Sequence, residues 1–76
     1  MKKFEFGKKY VFSMEEVCSF LGGFMGEYYA RSFIDRISWI KDADQKEVTV
    51  LDERSGFVWL NGEEYDVEPE WCVEVL

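Results

Sequence analysis

The turn dipeptide Asn61-Gly62 is the feature that most restricts how this chain can fold. It lies between residues 57–60 (FVWL) and residues 63–67 (EEYDV), two short runs with residue types that favour strands. Asn-Gly tolerates the positive φ angles that a two-residue type I′ turn requires. The sequence therefore predicts a β-hairpin over residues 57–67.

The two faces of this hairpin both carry apolar side chains. Alternation places Phe57 and Trp59 on one face of the first strand and Val58 and Leu60 on the other. Because neither face is purely polar, we expect the hairpin to be covered on both sides.

Three further strands are predicted from composition and turn residues. Residues 8–12 indicate an opening strand, and residues 46–52 indicate a strand that ends near Asp52. Pro69 cannot donate a backbone hydrogen bond, so it suits a short helical turn over residues 68–71. A last strand then follows at residues 72–75.

A capped helix is predicted to follow the opening strand. Ser13 and Glu16 form a capping box, which indicates a helix over about residues 14–21. Gly22-Gly23 is expected to end or weaken this helix, although it could also continue beyond them. The stripe expected to face the core consists of Val17, Phe20, Leu21 and Phe24.

Residues 27–41 fit two alternatives that periodicity does not separate. Three isoleucines and several aromatic residues favour a strand from about residue 32 to residue 41. The helical alternative gives an interrupted α-segment over residues 14–40, packed on a three-stranded sheet.

The chain as a whole predicts a single α+β domain over residues 1–76. Residues 7–11 (GKKYV) and residues 65–76 (YDVEPEWCVEVL) carry a resemblance to the small SH3-like β-barrels. The resemblance implies a mainly antiparallel barrel or curled sheet, with the capped helix between the first and second strands. A turn begun by proline before the final strand is the most specific part of the likeness.

The charge of the chain is strongly negative and unevenly placed. The formal net charge is −7, and six acids but no base follow Arg54. This charge disfavours binding to nucleic-acid phosphates or to an anionic membrane. It is explained either by solubility or by a negative face that meets a basic partner protein. The residues predicted to form such a face are Glu63, Glu64, Asp66, Glu68, Glu70 and Trp71.

Most catalytic and metal-binding chemistry has no candidate residues in this sequence. The chain contains no histidine, so it has no imidazole base or histidine ligand. Cys18 and Cys72 lack CxxC spacing and are interpreted as reduced, packed residues, although a disulfide between them stays open if the helix packs on the last strand. We therefore expect no enzyme activity, no cofactor and no metal. Without a secretory segment or a long apolar run, the expected location is the cytoplasm.

These observations lead to two hypotheses about function. The first is a non-enzymatic acidic module that binds another protein. In size, charge and lack of catalytic groups the chain resembles the inhibitors that bacteriophages encode, such as anti-CRISPR proteins. The resemblance implies occupation of a nucleic-acid-binding or basic surface of a host protein. The alternative is a self-associating structural or adaptor domain with an SH3-like fold, which forms a homodimer through an edge strand or exposed aromatic residues.

Overall fold

Two antiparallel sheets and three helices make up the fold in the computed structural model, which describes residues 2–76. One sheet pairs two strands, and the other orders three strands so that the last of them lies at a sheet edge. The described part of the chain is thus a small α+β domain in which the sheets do not close into a barrel. The elements are β1 (Lys9–Phe12), α1 (Met14–Met25), α2 (Glu27–Asp35), α3 (Ser38–Ala43), β2 (Thr49–Val50), β3 (Gly56–Leu60), β4 (Glu63–Val67), a 3-10 turn (Pro69–Trp71) and β5 (Cys72–Val75).

The hairpin at Asn61-Gly62 is confirmed. Strands β3 and β4 pair in antiparallel register, with Leu60 opposite Glu63 and Gly56 opposite Val67. Asn61 has a φ of 52° and Gly62 a φ of 80°, the left-handed conformations that a type I′ turn needs. This turn chemistry fixes which side chains of β4 lie beside those of β3.

A short segment after α3 connects the two sheets. Strand β1 pairs with β5 along one edge, with Phe12 opposite Cys72. Along its other edge, the carbonyl of Tyr10 accepts from the amide of Val48 at 2.9 Å, and the amide of Phe12 donates to the carbonyl of Lys46 at 2.9 Å. These bonds hold the β1–β5 pair beside residues 46–48, which lead into the three-stranded sheet.

The start of α1 uses only half of the predicted capping box. The Ser13 hydroxyl accepts a hydrogen bond from the Glu16 amide at 3.3 Å, as expected for an N-cap. The Glu16 carboxylate does not return to Ser13, because the Ser13 amide donates to the Trp71 carbonyl at 2.8 Å. Glu16 instead accepts from the Lys2 ammonium at 3.4 Å. The helix N-terminus is therefore joined to both ends of the chain.

Of the two alternatives at Gly22-Gly23, the structure shows continuation, because α1 runs through both glycines to Met25. It ends at Gly26, which has a φ of 85° and whose amide donates to the Gly22 carbonyl at 3.0 Å. Packing of α1 against α2 outweighs the weak intrinsic helix propensity of the two glycines.

The face that α1 turns inward also differs from the expected stripe. Val17 and Cys18 are buried, Phe20 and Leu21 are half-buried, and Phe24 is exposed. Aromatic residues on one side of a helix therefore do not mark its buried side in this chain.

The strand expected from about residue 32 to residue 41 is wrong, and the helical alternative is correct in type. Residues Glu27–Asp35 form α2, which buries Ala30 and Ile34 one helical turn apart. The chain is extended at Ile37, with φ −111° and ψ 93°, and then forms α3. Ile34 and Ile40 are buried from two different helices, and Ile37 is an extended residue between them, so the three isoleucines do not mark one strand.

The core lies between the helices and the strands. The Trp39 ring of α3 stacks on the Tyr65 ring of β4 at 5.0 Å between centroids, and it lies 5.5 Å from the Phe12 ring of β1. Phe12 and Val58 are fully buried in this core. The indole of Trp39 thus ties the helical layer to both sheets.

Two glycine substitutions test the extended α1 and the tight approach beside β3. Gly23→Ala should raise the free energy of unfolding by about 0.5–1 kcal/mol, because Gly23 is helical and no atom lies within 4 Å of an added Cβ. Gly56→Ala should lower it by about 1–3 kcal/mol, because its Cβ would lie 2.9 Å from Val48 Cγ1 and 3.0 Å from the Thr49 carbonyl oxygen.

Urea denaturation followed by circular dichroism measures both changes. A destabilising Gly23→Ala would contradict a continuous helix through this position.

Candidate protein-interaction face

One face of the β2–β3–β4 sheet is left open. Phe57 and Trp59 lie on this face, directly opposite Asp66 and Glu64 on the neighbouring strand. The Trp59 side chain is 55% exposed and Phe57 is half-buried, so the expectation of cover on both sides is wrong. Helix α3 packs on the other face of β3, where Val58 is fully buried.

Three carboxylates form a row along one edge of this open face. Glu64 and Asp66 alternate along β4, and Glu68 continues the alternation because its backbone is extended, with φ −105° and ψ 156°. Successive members are therefore spaced by about 6.6 Å. Within residues 2–76, none of the three forms an ion pair. We call Glu64, Asp66 and Glu68 the acidic row.

A cleft of about 390 Å³ borders the acidic row. Asp66 and Glu68 line one part of it, and Leu51, Arg54 and Ser55 line another. The cleft is open to solvent and offers both carboxylates and an apolar wall. Arg54 contributes one cation to this lining, and its guanidinium is bound to Glu70.

Glu63 lies beside the acidic row in sequence but on the opposite side of β4. Its carboxylate accepts a hydrogen bond from the Tyr65 hydroxyl at 3.1 Å. This hydrogen bond is the main reason that the pKa of Tyr65 is raised above 10.0. Glu63 is exposed, so it adds negative charge at the hairpin end without joining the open face.

Glu70 is also separate from the acidic row, because Arg54 holds it. The guanidinium donates through Nη1 to Oε2 at 2.8 Å and through Nη2 to Oε1 at 3.0 Å. The Glu70 side chain is only 14% exposed, and the Arg54 hydrogen bonds lower its pKa below 4.5. Arg54 also donates to the Lys2 carbonyl, so this pair fastens the N-terminal segment to the 3-10 turn.

Trp71 lies between the open cleft beside the acidic row, which it helps to line, and the interior of the protein. Its ring is half-buried and borders an apolar cavity of about 130 Å³ together with Phe12, Val17 and Leu21. The indole Nε1 is buried, and no other described residue accepts its hydrogen. Of the six residues that the sequence singled out, three form the acidic row and Trp71 lines the cleft beside it. Glu63 and Glu70 lie elsewhere.

The two cysteines are buried free thiols rather than a disulfide. Burial raises the pKa of Cys72 to about 12, and its thiol donates to the Glu68 carbonyl at 3.3 Å. Cys72 is therefore protonated at neutral pH and is a poor nucleophile. Among residues 2–76, no three Cys, Asp or Glu side chains converge in a way that could hold a metal ion. The helices in this part of the chain are too short and too polar to cross a membrane.

Sequence reasoning did not include Trp59 and Phe57 in the candidate face, although alternation had paired them. The hairpin register places Asp66 opposite Phe57 and Glu64 opposite Trp59, which could have indicated that this face is exposed. A covered sheet face rarely places carboxylates directly beside its aromatic residues, because an unpaired buried charge is costly. Charged neighbours across a hairpin thus indicate an open face.

The chain has no significant match among protein-family models, curated proteins or solved structures. Its function must therefore be inferred from the geometry and charge of its own residues.

The Arg54–Glu70 pair gives a pH-dependent contribution to stability. Arg54 lowers the pKa of folded Glu70 below its ordinary value of 4.5, so the contribution is complete above that value and is lost as pH falls through the folded pKa. Glu70→Gln should lower the Tm at pH 7, and the difference from wild type should shrink towards zero in acid. Thermal melts across pH measure this.

Glu64→Gln is the matched control, because Glu64 has no ion-pair partner among the described residues. It should leave the Tm nearly unchanged at pH 7. A Glu70→Gln deficit of equal size at every pH would show that packing, and not the ion pair, is responsible.

Proposed function

We propose that this chain is a non-enzymatic interaction module that docks its open sheet face on a basic surface of another protein. The observation that carries the proposal is the exposed Trp59 ring beside the unpaired carboxylate of Glu64. Protein interfaces are centred on such aromatic anchors, and charged groups around them select the partner. The face therefore combines an aromatic residue that can be buried on binding with carboxylates that favour a basic partner.

The charge distribution determines what kind of partner fits. Six acids and no base follow Arg54, and Arg54 itself is bound to Glu70. The field near the acidic row attracts lysine and arginine side chains and speeds their approach. It repels phosphates and anionic lipids, so neither nucleic acid nor a membrane is the proposed partner.

A concrete form of this function is an inhibitor that occupies a nucleic-acid-binding surface. Proteins bind nucleic acids through lysines and arginines that neutralise successive phosphates. The acidic row offers carboxylates at a regular spacing of about 6.6 Å on an extended chain. A phage-type inhibitor of a host defence nuclease, similar to the anti-CRISPR proteins in size and charge, would act in this way in the host cytoplasm without a cofactor.

An SH3-like fold is part of this proposal. It is supported by the pairing of β1 with β5, the 3-10 turn before β5, and the hydrogen bonds from residues 45–48 to β1. In an SH3-like fold, the three helices between β1 and β2 would correspond to the first long loop of peptide-binding SH3 domains. The aromatic and acidic residues of that loop are absent here, so we do not propose recognition of proline-rich peptides.

Charge reversal on the open face should weaken partner binding. Glu64→Lys with Asp66→Lys should reduce affinity at least tenfold, equivalent to about 1.4 kcal/mol, and should flatten its dependence on salt. Displacement of a fluorescent oligonucleotide from purified RNA-guided nucleases provides the measurement. Asp42→Lys with Glu47→Lys is the control, since both are exposed, form no ion pair in the described chain and give the same charge change.

Equal displacement by the wild type and the Glu64/Asp66 variant would contradict docking through this face. A wild type that displaces the oligonucleotide from none of these nucleases would contradict the inhibitor form of the proposal.

Removing the aromatic anchor should have a larger effect than removing an exposed aromatic residue elsewhere. Trp59→Ala should weaken the same displacement about 30-fold, equivalent to about 2 kcal/mol, with little change in Tm. Phe6→Ala is the control, because Phe6 is exposed and lies outside the sheet face. Similar losses for both variants would indicate that Trp59 has no special role.

A further inference from the structure

A second exposed apolar surface lies on the helices and not on the sheet. Its residues come from the end of α1 and from α2, and their side chains remain in solvent although they are large and apolar. Met25, Tyr29 and Phe33 line a shallow groove with Ser32 and Arg36. The rings of Tyr28 and Tyr29 contact each other at 5.4 Å between centroids. We call Phe24, Met25, Tyr28, Tyr29 and Phe33 the helical aromatic surface.

Tyr28 and Tyr29 contribute little to the packing of the fold itself, whereas Phe33 also borders the inner apolar cavity. Helix α2 packs through Ala30 and Ile34, which are buried, while Tyr28 is 79% exposed and Tyr29 is 67% exposed. Single exposed apolar residues are normal, but a contiguous group of this kind marks an interaction site.

We propose that a second copy of this chain covers the helical aromatic surface, giving a symmetric homodimer. The first argument is charge. Residues 20–40 contain two acids, Glu27 and Asp35, and two bases, Arg31 and Arg36, so the whole net charge of −7 resides outside this segment. Two copies can therefore approach through these helices without a net like-charge repulsion between the two contacting segments.

The presence of both positive and negative side chains in residues 20–40 also fits a symmetric dimer. A two-fold interface places the same patch of each copy against the other, so the patch must complement itself. A surface with both signs allows arginines of one copy to meet carboxylates of its partner. A purely basic partner would gain nothing on this neutral surface, but it would gain on the acidic row.

The second argument is area. The four aromatic side chains are 76% (Phe24), 79% (Tyr28), 67% (Tyr29) and 44% (Phe33) exposed. At roughly 150–250 Å² for each complete aromatic side chain, they offer about 400–650 Å² of apolar surface. A stable interface buries about 800 Å² on each partner. These four residues therefore supply most of the area that one copy needs.

This inference does not depend on the proposed function, because the two surfaces lie on different layers and share no residue. A dimer joined through the helices leaves the acidic row of each copy free. It would present two acidic faces and so could engage two basic sites at once.

Sedimentation equilibrium of the wild type tests the proposal without any partner protein. We expect a dimer at about 100 µM, since a micromolar Kd makes association nearly complete there. Tyr28→Glu with Tyr29→Glu should be a monomer at the same concentration. Phe6→Glu with Leu51→Glu is the matched control, because it places two charges at exposed apolar positions outside the surface and should remain a dimer.

A second variant tests the charge argument. Arg36→Glu gives residues 20–40 a net charge of −2, so the Kd should rise at least tenfold at low salt and recover at high salt. A wild type that is monomeric at about 100 µM would overturn the proposal. So would a Tyr28/Tyr29 variant that still dimerises while its circular dichroism and Tm match the wild type. If a monomeric variant still displaces the oligonucleotide, dimerisation and the proposed inhibitor function are independent of each other.

Discussion

The contact of Trp39 with Phe12 and Tyr65 is the interaction on which the rest of the structure depends. Through one indole, the helical layer contacts a strand of each sheet. The helices thereby cover the inner side of the strands, and the outer side of β2–β3–β4 stays open. Two candidate surfaces remain exposed in this arrangement. One is the acidic face of the sheet, and the other is the helical aromatic surface.

The parts of the fold that sequence could predict are those determined by neighbouring residues. Asn61-Gly62 fixes a turn through its own φ angles, and Pro69 fixes the 3-10 turn through its missing donor. The segment 27–41 is different, because Tyr28, Tyr29 and Phe33 are exposed. Its buried residues are Ala30, Ile34 and Ile40, which lie on two separate helices. The positions of the large apolar residues in this segment therefore do not show which of its residues are buried.

In the candidate site, too, local sequence predicts some properties, whereas others depend on tertiary packing. The concentration of acids after Arg54 is visible in the sequence, and the alternation of Glu64 and Asp66 follows from strand geometry. Nothing local indicates that Glu70 is taken by Arg54, because the pair is formed across 16 residues. Whether Trp59 is covered likewise depends on where the helices pack, which is a tertiary property.

The place of β4 at the end of its sheet has a consequence for self-assembly. An edge strand exposes unpaired amides and carbonyls, which can add strands from other molecules and grow into ribbons. In β4 the side chains beside those groups include Glu63, Glu64 and Asp66, and like charges placed strand against strand oppose such growth. The carboxylates of β4 therefore oppose edge-to-edge polymerisation of the chain, and neutralising all of them would leave an edge strand able to pair with other molecules.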